Sequence, residues 1–161
     1  MLPVKVLFLC TGNSCRSQMA EGLLRHLGKG AVSVASAGTH PKPVHPDAVG
    51  CLREIGVDIS AQHSKPIDQF LGRSFDYVIT VCDVAMETCP VFAGAAEMLH
   101  WSLPDPAAAQ GADEERLRMF RSVREQLITH IEDLLRVILD RFLNELAHAS
   151  AQGSHVPPET P

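Results

Sequence analysis

The chain carries no excess of positive charge, no long apolar run and few aromatic residues, and each shortage removes a class of function. Lys and Arg number 14 against 19 Asp and Glu, a formal charge of −5. No general basic face for nucleic acid is expected, and any positive potential for an anion must be local. The run Val4-Lys5-Val6-Leu7-Phe8-Leu9 is too short to span a membrane. No charged start followed by a long apolar core announces a secretory signal, so a cytosolic protein with no membrane partner is expected. Five cysteines in that compartment read as nucleophile, redox, metal or core residues rather than structural disulfides. Together with eight scattered histidines they supply no convincing four-ligand set, so neither metal nor cofactor is expected. Tyr77 is the single tyrosine, and no aromatic directly follows Asp105-Pro106.

What is present fits one domain, since 161 residues with 45% apolar content can bury a real core but not two. The most informative segment is Cys10-Thr11-Gly12-Asn13-Ser14-Cys15-Arg16-Ser17, lying between an apolar run and a helical pattern. A loop joining a strand end to a helix start turns successive backbone N–H groups toward one point, and the helix N-terminus adds partial positive charge. Arg16 can hold two oxygens with its planar fork, and its field is expected to lower the Cys10 pKa toward the thiolate. Gly12 suits the tight backbone, Asn13 tolerates a left-handed conformation, and Ser17 offers a hydroxyl to the sulfur. The segment reads as a cradle for a tetrahedral oxyanion with a thiol at its base. The alternative is a buried structural cysteine beside an ordinary turn.

Along the chain, strand and helix patterns alternate. Strands are expected at Val4–Leu9, Ala31–Ala35, Phe75–Val81 and Glu97–Trp101. Helices are expected at Ser17–Leu27, with Met19, Ala20, Leu23, Leu24 and Leu27 on one face, at Asp47–Ile55, briefly at Asp83–Thr88, and from Ala112 to about Ala147. The alternation implies an α/β fold, a four-stranded parallel sheet flanked by helices, with ligands bound beyond the carboxyl ends of the strands. The domain is placed at residues 1–148 and a flexible tail at 149–161.

Cys82 and Cys89 form a second constellation. Were the segment helical, their Cα atoms would stand about 10 Å apart along the axis, against the ~4.4–6.8 Å of a disulfide. A redox-active pair would therefore have to unwind its segment, exposing Val84, Met86, Val91 and Phe92; unrelated core cysteines or half of a metal site are the other readings. Asp105 after the fourth strand suits a general acid at the lip of an anion pocket, or a plain turn before Pro106. Cys15, beside Arg16, and Cys51, among Ala48, Leu52 and Ile55, read as packing residues.

Taken together, Cys10 through Glu21, Ser36-Ala37-Gly38-Thr39, Val81-Cys82 through Cys89-Pro90, and His100-Trp101 with Asp105-Pro106 closely resemble the thioredoxin-coupled arsenate reductases. These are similar in fold, a flavodoxin-like three-layer arrangement, to low-molecular-weight protein tyrosine phosphatases, and the loop alone fits either family. The resemblance runs from about Val4 to Val123. It implies that Cys10 attacks arsenate while Arg16 and the amides of Thr11–Ser17 hold its oxygens and Asp105 protonates the departing hydroxyl. It further implies that Cys82 and then Cys89 carry the oxidation to a Cys82–Cys89 disulfide that thioredoxin reduces, with phosphate or sulfate as arsenate mimics. Some relatives bind potassium through residues matching Asn13, Glu21 and Ser36 plus an acidic residue. Here that position matches Lys65, whose ammonium is expected to replace the cation.

The last helix carries a stripe of Leu117, Phe120, Val123, Leu127, Ile131, Leu134, Ile138 and Phe142, widened by Val137, Leu139 and Leu143. It looks longer than one small sheet can cover: either it extends over its own domain or it pairs with a second copy as a homodimer. Three classes of function remain. Arsenate reductase comes first, then a phosphatase, for which Cys82 and Cys89 have no use, then a thiol or metal sensor, which does not need Asp105.

Overall fold

The computed structural model describes residues 3–88 and 92–153. Four strands, β1 (Val4–Cys10), β2 (Val32–Gly38), β3 (Phe75–Thr80) and β4 (Ala95–His100), alternate with helices α1 (Arg16–Gly28), α2 (Pro46–Arg53), α3 (Asp83–Thr88) and α4 (Asp113–Gln152). The sheet has the order β2-β1-β3-β4, and every pairing is parallel.

Central β1 explains the layering. Val6, Leu7, Phe8 and Leu9 are all buried, as a parallel strand covered on both faces must be. Val6, Phe8 and Cys10 join Met19, Leu23, Leu24 and the α4 residues Phe120, Val123, Leu127 and Ile131 in one core. Leu7 and Leu9 pack on the other face with Ala37, Phe70, Val78 and Phe92, where a 3-10 turn at Ile67–Phe70 gives thinner cover. α1 stops where Lys29 takes a left-handed conformation (φ 46°) followed by Gly30 (φ 86°). Pro46 opens α2 while the His45 ring accepts from the Asp47 amide, a first-turn use of proline that sacrifices no helical donor.

Several boundaries move from their sequence-based expectation. β2 runs on to Gly38 rather than stopping at Ala35, because Ser36, Ala37 and Gly38 stay in register with Phe8, Leu9 and Cys10. β4 spans Ala95–His100, starting opposite Phe75, instead of Glu97–Trp101. α4 continues to Gln152, so residues 149–152, expected in the tail, are helical; 154–161 lie outside the described residues. At 40 residues, α4 is about 60 Å long. Its buried positions end at Leu134, while Val137, Leu139, Leu143 and Leu146 are about half exposed,; Ile138 still packs on the core and Arg141 on the Tyr77 ring, so the helix covers the sheet to about Arg141 and its last turns run past it. No helix among the described residues is long and apolar enough to cross a membrane.

Candidate active site

Cys10 ends β1, and the loop Thr11–Cys15 leads into α1 at Arg16, at the carboxyl edge of the sheet. The adjoining segment shapes this loop from outside. The carbonyls of Cys10, Thr11, Gly12 and Ser14 accept from the amides of Thr39, His40, Lys42 and His45. In a trans peptide the N–H of the next residue points the opposite way, so the amides of Thr11, Gly12, Asn13 and Cys15 turn inward. One of them, Asn13 N–H, donates to Cys10 Sγ at 3.0 Å.

Asn13 is the keystone, left-handed at φ 45° and fully buried. Its Nδ2 donates to Ser17 Oγ (2.8 Å) and Ser36 Oγ (2.9 Å). Its Oδ1 accepts from the Lys65 amide (2.9 Å) and Gln18 Nε2 (3.0 Å), and its carbonyl accepts from Ser64 Oγ (2.7 Å). The close backbone approach falls on Gly38 rather than Gly12: a Cβ there would lie 2.6 Å from the Thr11 carbonyl oxygen and 2.9 Å from the Asn13 nitrogen. Gln18 and Ser64 were missed from sequence. Gln18 follows the cysteine motif directly, so its place on the first turn of α1 was a usable signal; Ser64, far along the chain, offered none.

Glu21, Ser36 and Lys65 lie together behind the loop. The Ser36 hydroxyl donates to Glu21 Oε2, and Arg25 Nη2 lies 2.6 Å from Glu21 Oε1. Lys65 Nζ lies 3.4 Å from Glu21 Oε2 and donates to the His63 carbonyl at 2.9 Å. With an ammonium already against Glu21, these residues do not fit a potassium ion. Among the described residues no cluster of His, Cys, Asp or Glu could hold a metal.

The electrostatics correct one expectation. Burial pushes the Cys10 thiol pKa up; the hydrogen bonds from Ser17 (Oγ···Sγ 2.8 Å) and the Asn13 amide oppose it, and nearby Cys82 adds to it. Burial outweighs what the loop supplies to lower it, and Arg16 Nη1 donates to the Leu103 carbonyl at 3.0 Å. That bond ties the loop to the segment carrying Asp105, whose carboxylate accepts from the Ala107 amide at 3.0 Å. Asp105 is exposed, and its charge acts on the loop. Burial first, then Asp105, raises the Cys15 thiol to about 11 against Ser14 and Arg16. Cys51, fully buried, is likewise raised to about 11 by burial; both are core residues.

Cys82 follows β3 and is buried. Its sulfur accepts from the Ala85 amide at 3.3 Å and lies 3.6 Å from Thr11 Oγ1, which brings a second thiol to the Cys10 loop. α3 follows, with Met86 N–H bonded to the Cys82 carbonyl. Cys89, Pro90 and Val91 lie outside the described residues. Val84 and Met86 are already exposed by 55% and 48%, so their exposure does not wait for unwinding, whereas Phe92 is buried.

A buried thiol, a cradle of inward amides and an arginine at the carboxyl end of a parallel sheet define a class of thiol-based oxyanion sites. The chain belongs to the low molecular weight phosphotyrosine protein phosphatase family, whose model matches residues 5–147, and within it to the arsenate reductases. An arsenate reductase of Halalkalibacterium halodurans is 47% identical over 122 residues, 76% of this chain and 88% of its own length. A glutaredoxin arsenate reductase of a Synechocystis species is 40% identical over 134 residues, 83% of this chain and 98% of its own. A solved arsenate reductase in its phosphate-binding state superposes with a TM-score of 0.73 at 39% identity, covering 84% of this chain and 98% of its own.

Proposed function

We propose that this protein reduces arsenate to arsenite through a cysteine cascade. Arsenate sits on the inward amides of the loop with Arg16 transferred to its oxygens, a stronger, charge-assisted partner than the Leu103 carbonyl. The Cys10 thiolate bonds to arsenic, and Asp105 protonates the hydroxyl that leaves. The Cys82 thiolate then attacks Cys10 Sγ. The electron pair of the S–As bond passes to arsenic, As(V) becomes As(III), and a Cys10–Cys82 disulfide forms. Cys89 attacks Cys82, Cys10 leaves as a thiolate, and a reductant of the thioredoxin class reduces the Cys82–Cys89 disulfide in the cytosol. Glutaredoxin is the competing reductant, suggested by the name of the Synechocystis relative. The exposed Leu139, Leu143 and Leu146 on α4 would serve as a homodimer surface.

The observation that carries this reading is the second buried thiol at the nucleophile's loop, Cys82 Sγ beside Thr11 Oγ1. A phosphatase, the second reading and the activity for which the family is described, has no use for it. The deciding experiment is to incubate the reduced protein with arsenate, quench, and locate disulfides by peptide mass mapping. A Cys82–Cys89 bond is expected, and turnover without any disulfide would favour the phosphatase.

A further inference from the structure

Where β3, α3 and β4 meet, a polar cluster lies beside the cascade without belonging to it. Asp83 Oδ1 accepts from His100 Nε2 and from Ser102 Oγ, both at 2.9 Å. On the other side of the imidazole, His100 Nδ1 lies 2.7 Å from Thr80 Oγ1, and that hydroxyl lies 3.4 Å from the Leu99 carbonyl. The two bonds hold the Asp83 carboxyl below its ordinary pKa, with the charges of His100 and Arg16 assisting. Thr80 satisfies either form of the ring. When Nδ1 is bare, Thr80 donates to it; when Nδ1 carries a proton, Thr80 accepts and turns its own hydrogen to Leu99. Nε2–H faces Asp83 in both.

The location gives the cluster its meaning. Asp83 follows Cys82 directly and opens α3, a six-residue helix far too short to persist without tertiary support. Of its described side chains, Ala85 alone is buried. The polar tie from Asp83 to β4 therefore adds a hold on the first turn to that of the buried Cys82 and Ala85.

We propose that His100 and Asp83 are positioning residues for the cascade: their clasp keeps Cys82 aimed into the Cys10 pocket, and its release governs the handover from the Cys10–Cys82 to the Cys82–Cys89 disulfide. This rests on the reductase reading above. In the handover, the Cys89 thiolate bonds to Cys82 Sγ, the Cys10–Cys82 bond breaks, and Cys10 Sγ leaves with the electron pair, with no net oxidation. Cys89 lies outside the described residues; were the helix to continue through it, the two Cα atoms would stand about 10 Å apart, more than a disulfide spans, and in this proposal release of the helix lets the pair meet.

The test compares His100→Ala, Asp83→Ala and the milder Ser102→Ala with Asp83→Asn, whose amide oxygen still accepts from His100 and Ser102. Hydrogen exchange on the reduced proteins reads the hold. Amides 84–88 are expected to exchange about threefold to tenfold faster in the His100 and Asp83 alanine variants, less so in Ser102→Ala, and near the wild-type rate in Asp83→Asn. Protection of β1 and α1 should stay unchanged, which also certifies the fold. In single turnovers with arsenate, quenched by thiol trapping, conversion of Cys10–Cys82 into Cys82–Cys89 is expected to speed up by a similar factor in the alanine variants and not in Asp83→Asn. Unchanged exchange would overturn the clasp, and faster exchange with an unchanged handover rate would overturn its role. A wild-type protein that forms no disulfide with arsenate would instead sink the reductase reading and the handover with it, leaving the clasp itself to be decided by exchange.

Discussion

Lys65→Met removes an ammonium from beneath the loop and measures how much it supports. Lys65 Nζ stands 3.4 Å from Glu21 Oε2, with the two side chains only 12% and 6% exposed. At that separation and an effective dielectric near 20, the bare attraction is about 4–5 kcal/mol. Desolvation of both groups offsets much of it, and Arg25, 2.6 Å from Glu21 Oε1, keeps the carboxylate paired after the substitution. A net loss of about 1–2 kcal/mol is expected, a drop of roughly 2–8 °C in the thermal midpoint for a domain of this size. The Lys65 amide bond to Asn13 Oδ1 is main-chain and survives, so the loop should loosen rather than collapse. Wild-type turnover should be the same in sodium and potassium chloride at equal ionic strength, since the ammonium occupies the place of a cation. In Lys65→Ser, which leaves space beside Glu21, added monovalent cation should recover part of the lost stability. A several-fold potassium stimulation of the wild type, or an unchanged midpoint in Lys65→Met, would refute the placement.

Cys10→Ser should lose arsenate reduction to background while melting like the wild type, and Cys89→Ser should release one arsenite and stop at a Cys10–Cys82 disulfide, both read by product assay and mass mapping. Ser17→Ala removes the hydroxyl 2.8 Å from Cys10 Sγ, so the thiol should rise further. Because a hydrogen bond to a charged group contributes about 1.5–3 kcal/mol, iodoacetamide should alkylate Cys10 roughly tenfold to hundredfold more slowly at fixed pH, and equal rates would contradict the role of Ser17. Glu54, lowered from 4.5 to about 2 by hydrogen bonds from Arg121 and Arg124, joins α2 to α4. A depressed carboxyl stabilises the fold above its unfolded pKa and loses that contribution as pH falls toward 2. Discounted for its 38% side-chain exposure, Glu54→Gln should cost about 0.5–1 kcal/mol at neutral pH, with the difference in midpoint closing between about pH 4.5 and 2. Sedimentation at micromolar concentration should show a dimer that becomes monomeric when Leu139 and Leu143 are both changed to Asp; a monomeric wild type would leave α4 as an extension over its own domain.

What was legible in the sequence is what has a local cause. The buried run at Val6–Leu9, the helical spacing of Met19, Ala20, Leu23 and Leu24, and the left-handed tolerance of Asn13 each follow from a period or a backbone preference, and each stands in the structure. The strand ends were less legible, since β2 continues through Ser36–Gly38 on the strength of its pairing with β1 and not of its own propensity. The Cys10 thiol was misjudged for a physical reason. Arg16 lies six residues on in sequence and its guanidinium reaches the Leu103 carbonyl, 87 residues away, while burial, which the motif does not show, outweighs the hydrogen bonds that favour the thiolate. The amides of Thr39, His40, Lys42 and His45 that hold the loop from outside belong to backbone groups, which every residue but proline carries, so composition could not single them out.

The distinction between the two readings of the site also lies beyond any local motif. The Cys10 loop suits a phosphatase and a reductase equally, and only a second thiol at the same pocket separates them. That thiol arrives through strand register. β1 and β3 are parallel neighbours with Leu9 opposite Thr80, and the Val81 amide donates to the Leu9 carbonyl, so both strands end at the same level of the sheet. Cys10 is one residue beyond Leu9 and Cys82 two beyond Thr80, which sets both sulfurs at one edge. A slip of one residue between the strands would turn the β3 side chains to the opposite face, sending Tyr77 and Ile79 out of the α-helical core. The same burial that fixes the core thus also fixes the meeting of the two thiols on which the proposed chemistry depends.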